Sequence, residues 1–162
     1  MYGVKSLVFL WIFVLSAAPA CIAGAAENES EAMHGESHGF HPNLVGVFLG
    51  VTDEGREEAP TIGIEYERRI SASFGIGAVA EYASQDLDFF VFAVPFAFHN
   101  GPWKLYVAPG IEDSDHGSEY LTRIGAEYAF EVGAFEIAPQ LNVDFVDGEE
   151  IWVAGLVFAK GF

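Results

Sequence analysis

Apolar residues alternate with small or polar residues, at a period of two, along almost the whole sequence after residue 41. The clearest example is residues 135–145 (FEIAPQLNVDF), where Phe, Ile, Leu, Val and Phe oppose Glu, Ala, Gln, Asn and Asp. Successive side chains of a β-strand point to opposite faces, whereas an amphipathic helix repeats its apolar residues about every 3.6 positions. No sustained helical period occurs in this part of the sequence, so the pattern predicts an all-β fold.

Eight segments of about ten residues show this alternation. They cover residues 43–52, 61–69, 73–83, 89–98, 103–112, 120–130, 135–145 and 151–162. Acidic links and short turns connect them in turn: TDEGREEA, SQDLD, EDSDHGSE and VDGEE are acidic, and RISAS, HNGP and EVGA are short. In an up-and-down meander, this order places every acidic link at one end of the sheet and every short turn at the other.

The two faces of these segments differ in a way that favours a membrane. One face carries large apolar side chains, and the other carries Gly, Ala and charged groups. Strands of about ten residues can cross a bilayer at a tilt, and an even number can close so that no edge meets lipid. An eight-stranded interior holds side chains and little else, which suits the small and polar face. We therefore predict an eight-stranded antiparallel up-and-down transmembrane β-barrel; a soluble lipocalin-like barrel or sandwich is the alternative.

Aromatic residues cluster at both ends of the predicted strands, as in the aromatic girdles of membrane barrels. Those at the acidic end are Tyr82, Phe90, Tyr120 and Trp152. Those at the short-turn end are Phe74, Phe98, Trp103, Phe130, Phe135 and Phe158. A general preference of aromatics for strands would explain their number but not their position at both ends.

The first 40 residues are predicted to lie outside the barrel. Residues 1–25 have one lysine, an apolar run from Leu7 to Leu15 and then small residues, which is the order of a cleaved secretory signal peptide. Residues 26–40 form a polar, His- and Glu-containing leader, and residues 41–162 form the barrel domain. Cys21 is the only cysteine and falls in the signal peptide, so no internal disulfide is expected.

The charge of the chain is strongly negative and unevenly placed. There are 24 acidic residues against 7 Lys and Arg, for a formal net charge of -17, yet hydrophobic residues make up 51%. Such a surface repels nucleic-acid phosphates, so no nucleic-acid partner is expected. Twelve acids form what we call the acidic rim: Asp53, Glu54, Glu57, Glu58, Asp86, Asp88, Asp113, Asp115, Glu119, Asp147, Glu149 and Glu150.

Charged residues also fall on the face predicted to point inward. Burying unpaired charge is costly, so we expect these groups to form a polar plug that closes the barrel. The predicted plug consists of Glu65, Glu81, Lys104, Glu112, Arg123, Glu127 and Asp144. Hairpin pairing predicts Arg123 opposite Asn142, with Glu112 and Asp144 within diagonal reach. A proton or ion path is the functional rival of the plug.

Two further groups of residue types could carry chemistry. His34, Glu36, His38 and His41 lie close together in and beside the leader and could bind a divalent metal, but their spacing matches no specific site and a solvated leader is the favoured interpretation. Ser114, Asp115, His116 and Ser118 share one link and are residue types of a hydrolase. Neighbouring Ser, Asp, His and Gly are also what a turn requires, and we expect a turn there.

The chain ends on VFAKGF, an alternating strand that finishes on Phe162. This ending resembles the C-terminal signature of bacterial outer-membrane barrels, which implies recognition of Phe162 by the barrel-insertion machinery; Lys160 departs from it, since an apolar residue is more usual there. The segments HPNLVGVFLGVT, IGIEYERRI, FGIGAVAEYA, VAPGIE, RIGAEYAF and PQLNVDFVDGE extend the resemblance. From about residue 41 to the end, the chain resembles a family of small, largely uncharacterised outer-membrane β-barrel proteins of Gram-negative bacteria.

The resemblance implies no catalytic residues, because the family has none assigned. We expect a monomer in the bacterial outer membrane, in contact with its lipid and lipopolysaccharide, with a non-enzymatic structural or surface-interaction role. No cofactor is expected beyond weakly bound divalent cations. An enzyme acting on lipid or peptide at the barrel rim and a narrow channel for small solutes are the alternatives. The short links weigh against a role as an adhesin, because a protruding binding surface would need longer loops.

Overall fold

The computed structural model describes residues 41–85 and 87–162, and these residues form an antiparallel β-sheet closed into a barrel of eight strands. The strands are β1 Asn43–Asp53, β2 Glu58–Arg69, β3 Phe74–Ala83, β4a Phe89–Ala93 with β4b Phe96–Asn100, β5 Trp103–Ser114, β6a Gly117–Tyr128 with β6b Phe130–Val132, β7 Phe135–Val146 and β8 Glu149–Gly161. Here β4a and β4b are two halves of the fourth strand, and β6b continues the sixth. No helix long and apolar enough to span a membrane occurs among the described residues.

Each strand pairs with its neighbours in sequence, and the first strand pairs with the last. The closing ladder between β1 and β8 runs from the pair Leu44 and Gly161 to the pair Asp53 and Trp152. Closure leaves no free strand edge, which a bilayer requires. The predicted up-and-down eight-stranded barrel is confirmed.

Proline explains why the fourth strand is split. Pro95 has no N–H to give to the ladder, so regular pairing stops at Val94 and Pro95 and resumes at Phe96. Two bonds hold the break in place: the Val94 N–H donates to the Pro109 carbonyl oxygen (2.9 Å) and the Gly77 N–H donates to the Pro95 carbonyl oxygen (2.9 Å). The wall is therefore continuous across the interruption.

The alternation in the sequence becomes an alternation between lipid-facing and interior positions. In β2, Ile62, Ile64 and Tyr66 are exposed on the outer surface, whereas Glu65 and Glu67 are buried. Every aromatic named above as part of a girdle lies on the outer face, and Tyr82 and Phe90 pack together with ring centroids 4.7 Å apart. Apolar interior positions are filled by a cluster with residues from β2 to β8 and by a second cluster around Phe48, which is fully buried.

The acidic links are shorter than their composition predicted. Strands β5 and β6a extend to Ser114 and Gly117, and β7 and β8 extend to Val146 and Glu149, so two of the four links are two-residue turns. Asp147 (φ 47°) and Gly148 (φ 87°) both adopt the left-handed conformation that a type I′ hairpin turn requires. The strands therefore end at a tight hairpin turn here, although the acidic composition of the link predicted a longer loop.

Candidate functional site

Arg123 is at the centre of the barrel interior and joins two strands from opposite sides of the lumen. Its side chain is 1% exposed. Its Nε and Nη2 donate to the two carboxylate oxygens of Asp144 on β7 (2.6 and 2.7 Å). Its Nη1 and Nη2 donate to the two carboxylate oxygens of Glu81 on β3 (2.8 and 2.6 Å). We call these three residues the arginine cluster; two-pronged pairs of this kind are the strongest ion pairs in proteins.

The register that brings Arg123 to Asp144 differs from the predicted one. Arg123 lies directly opposite Asp144, and Asn142 lies opposite Gly125, two residues from the prediction. The reason is the β6–β7 hairpin, which turns on Gly133 (φ 64°) and Ala134 because β6b continues to Val132. The prediction from sequence centres this turn one residue earlier, which shifts every pair by two residues.

Glu112 is also not beside Arg123. The β5–β6 ladder places Ala108 opposite Arg123, and Glu112 opposite Glu119. Four residues along a strand is about 13 Å, which is beyond diagonal reach. Glu112 instead lies half-buried toward the acidic end, and its Oε2 atom has no hydrogen-bond partner among the described residues.

Lys104 organises a second group nearer the short-turn end. Its Nζ atom lies 2.6 Å from a Glu127 carboxylate oxygen, 3.4 Å from Glu67 and 3.9 Å from Glu65. We call these four residues the lysine cluster. They come from β5, β6a and β2, so the lysine cluster also spans the lumen. Six of the seven residues predicted for the plug thus meet in two clusters, and Glu112 is the exception.

Several interior residues outside the predicted plug tie the clusters together. The Gln140 amide donates to Glu65 (2.7 Å) and to Glu127 (2.9 Å), Asn142 donates to Gln140 (3.2 Å), and the Tyr106 hydroxyl donates to Asn142 (2.6 Å). His99 lies 2.6 Å from Glu67 through its Nε2 atom. The parity of β4b, with Phe96 and Phe98 outward, could have identified His99 as an interior group.

The cavities beside the lysine cluster are small, although a wider hollow of about 350 Å³, lined by Arg69 and Glu136 among others, lies at the short-turn end. The two small cavities measure about 20 Å³ each; one is lined by residues that include Glu65, Val79 and Pro95, and the other by His99 and Pro102 among others. A cavity of this volume holds about one water molecule. The arrangement can hold the walls together and exclude solute, whereas an aqueous path would need a continuous opening.

The acidic rim has the opposite character, because its described members, which exclude Asp86, are exposed or only partly buried. Burial, together with the charges of Glu149 and Glu57, raises the pKa of Glu54 above its usual value. The raised pKa means that the folded chain binds this proton more tightly than the unfolded chain does, so this group adds stability as pH falls through that pKa. Like charges therefore repel at the rim at neutral pH.

The link that contains Ser114 and His116 is a turn. The His116 backbone N–H donates to the Ser114 hydroxyl (3.3 Å), the Ser114 hydroxyl donates to the Gly117 carbonyl oxygen (3.4 Å), and the Ser118 hydroxyl donates to Asp113. Within the described part of the chain, no hydrogen bond joins the His116 ring to either serine. These contacts stabilise a hairpin and do not form the nucleophile–base pair that hydrolysis requires.

The metal site predicted in and beside the leader involves residues that mostly lie outside the described part of the chain. His34, Glu36 and His38 lie outside the described residues, as do the signal peptide, residues 26–40 and Asp86. His41 is described and is exposed beside Gly161. Among residues 41–85 and 87–162, no group of three or more His, Cys, Asp or Glu side chains is placed to hold a metal ion.

Phe162 takes part in the closing seam. Its N–H donates to the Asn43 carbonyl oxygen (2.9 Å), and the Asn43 N–H donates to the Phe162 carbonyl oxygen (3.3 Å). The ring is exposed on the outer side, next to the strand pair that closes the barrel. This position fits a residue presented to another protein before closure, although recognition by insertion machinery stays a prediction.

Comparison with known proteins identifies the fold but no family, since no family model and no curated protein matches the sequence. The N-terminal β-barrel domain of OprF from Pseudomonas aeruginosa is similar, with a TM-score of 0.54 and 14% identity over 75% of this chain and 98% of that one. Ail from Yersinia pestis, in a phospholipid nanodisc, gives 0.48 and 13% over 74% and 99%. Neisserial surface protein A gives 0.47 and 9% over 74% and 96%. The OprF likeness shows that the chain has the fold of an outer-membrane barrel; the two lower scores carry no further argument.

Proposed function

We propose that this protein is a non-enzymatic barrel of the bacterial outer membrane with a structural or surface-interaction role. The observation that carries the proposal is the filled interior: charged clusters from β2, β3, β5, β6a and β7 connect opposite walls. Large apolar side chains cover the outside, including Ile64 (62% exposed) and Ile124 (55% exposed). A surface this apolar is stable only against lipid or a partner.

A role in the envelope itself accounts for these features better than the rival functions do. The geometry of the Ser114–Ser118 turn does not favour an enzyme at the rim. The cross-lumen pairs and the 20 Å³ cavities oppose a solute channel. The turn geometry, the cross-lumen ion pairs and the barrel fold together support an envelope role.

Loss of the protein should weaken the outer membrane as a permeability barrier. We expect a deletion strain to take up more of a hydrophobic dye, and expression of the wild-type chain to restore exclusion. The matched control is Ser114→Ala, which should restore exclusion as fully as the wild type because no catalysis is required. Unchanged dye uptake in the deletion strain would contradict a structural role, and failure of Ser114→Ala alone to complement would favour the enzyme.

A further inference from the structure

Two cationic side chains differ from the other described Lys and Arg residues in their position on the barrel. Of the 7 Lys and Arg residues, Lys5 lies outside the described residues, Arg56 is at the acidic end, and Arg69, Lys104 and Arg123 belong to the interior face. The remaining two, Arg68 and Lys160, are exposed on the outer wall. Both lie at the short-turn end of the barrel.

The register places these two cations on one patch of the wall. Lys160 on β8 and Tyr66 on β2 are both paired with Val45 on β1, which lies between them. Arg68 is paired with Asn43, two residues farther toward the short-turn end. Neighbouring strands lie about 4.8 Å apart, so the two backbone positions are roughly 12 Å from each other. Two long, flexible side chains can converge across that distance.

Neutral polar and aromatic side chains surround the two cations. The Arg68 Nη1 atom lies 3.3 Å from the Asn43 amide oxygen, which the Tyr66 hydroxyl also contacts (2.9 Å). The Lys160 Nζ atom lies 5.6 Å from the centre of the Phe135 ring. Aromatic and cationic side chains together are typical of the level at which lipid headgroups meet a membrane protein.

We propose that Arg68, Lys160 and Tyr66 form a binding site for the headgroup phosphate of an anionic phospholipid, at the surface of the leaflet that surrounds the short-turn end. The two cations attract the phosphate, the Tyr66 hydroxyl, which donates to the Asn43 amide oxygen beside Arg68, lines the site, and the acyl chains lie along the exposed apolar side chains Val47 and Phe158. The site rests on the membrane placement of the barrel and is independent of the role proposed above.

Native mass spectrometry of the purified barrel tests this site. The protein is given equimolar phosphatidylglycerol and phosphatidylcholine with identical acyl chains, and retained lipid is counted. A cation near a membrane surface contributes about a five-fold preference for anionic lipid, so the wild type should retain phosphatidylglycerol at least about five-fold over phosphatidylcholine. The double variant Arg68→Gln with Lys160→Gln should retain the two lipids equally.

Two controls make the result specific. Arg56→Gln removes one cation at the other end and should keep the wild-type preference, and Arg68→Lys with Lys160→Arg should keep it because both charges remain. Heat-modifiable gel mobility verifies that each variant is folded. An unchanged preference in the double Gln variant would overturn the proposal. Displacement of the lipid by millimolar glycerol 3-phosphate would also overturn it, since the site would then bind a soluble phosphate.

Discussion

At the scale of single residues, Arg123 is the side chain on which the interior depends most. A guanidinium that is 1% exposed has lost nearly all of its hydration, and its four hydrogen bonds to Glu81 and Asp144 compensate for that loss. The same bonds tie β3 to β7 across the lumen. The pair of carboxylates would be costly to keep there without the cation between them.

Replacing Arg123 with Met should lower the stability of the folded barrel by about 3–5 kcal/mol, because two buried carboxylates lose their partner. The midpoint of urea unfolding in lipid vesicles at neutral pH measures this. The loss should shrink at low pH, where the carboxylates can be protonated, and in the triple variant that adds Glu81→Gln and Asp144→Asn. Arg56→Met, at the exposed rim, is the control and should change stability by less than about 0.5 kcal/mol.

The sequence predicts which face of the sheet these side chains occupy, but it does not predict all of their partners. Parity places Glu81, Arg123 and Asp144 inward without any knowledge of the fold. The pairing of Arg123 with Glu81 could not be read from the sequence, because β3 and β6 are not neighbours and meet only through the curvature of the closed sheet. Even the neighbouring pair with Asp144 required knowing that the hairpin turns at Gly133.

At the scale of strands, the seam between β1 and β8 completes the barrel. The sequence indicated all eight strands. The ends it missed lie mainly beside the acidic links, where the strands run farther than predicted, as at the start of β2 and at the Asp147–Gly148 turn. The interruption at Pro95 was also missed, since the fourth segment is apolar throughout and shows no break in composition. Phe162 holds the end of the seam through its two backbone hydrogen bonds with Asn43.

Deleting Phe162 should therefore impair assembly. We expect less protein in the outer membrane and more unfolded precursor in the periplasm, because the chain loses both the last bonds of the closing ladder and its aromatic ending. Cell fractionation with heat-modifiable mobility measures both. Phe162→Tyr preserves an aromatic ring and should assemble normally. Wild-type levels of the shortened chain would show that Phe162 is not an insertion signal.

At the scale of the whole molecule, charge is polarised along the barrel axis. The described acids of the acidic rim occupy one end, where Arg56 is the only described Lys or Arg, and Arg68 and Lys160 mark the other end of the outer wall. Lipopolysaccharide phosphates would repel such a rim unless divalent cations bridge them, and carboxylate oxygens are suitable ligands for Ca²⁺ and Mg²⁺. A rim that is merely solvated is the alternative.

Millimolar Ca²⁺ should raise the melting temperature of the barrel in bilayers that contain lipopolysaccharide but not in detergent. The cations would relieve repulsion between the rim and the phosphates, and neutralising the rim to Asn and Gln should abolish the effect. Thermal melting followed by circular dichroism in both media measures it. If Ca²⁺ has no effect in either medium, the rim is only solvated.

The charged interior should close this barrel to solutes, and planar-bilayer conductance measures whether it does. Purified protein whose folding is verified by heat-modifiable mobility is added to a bilayer, with a known porin as a positive control in the same membrane. The filled interior predicts no discrete conductance steps from the wild-type barrel, because cavities of about 20 Å³ admit one water molecule and no hydrated ion. Reproducible steps of uniform size from the wild-type chain would contradict the account.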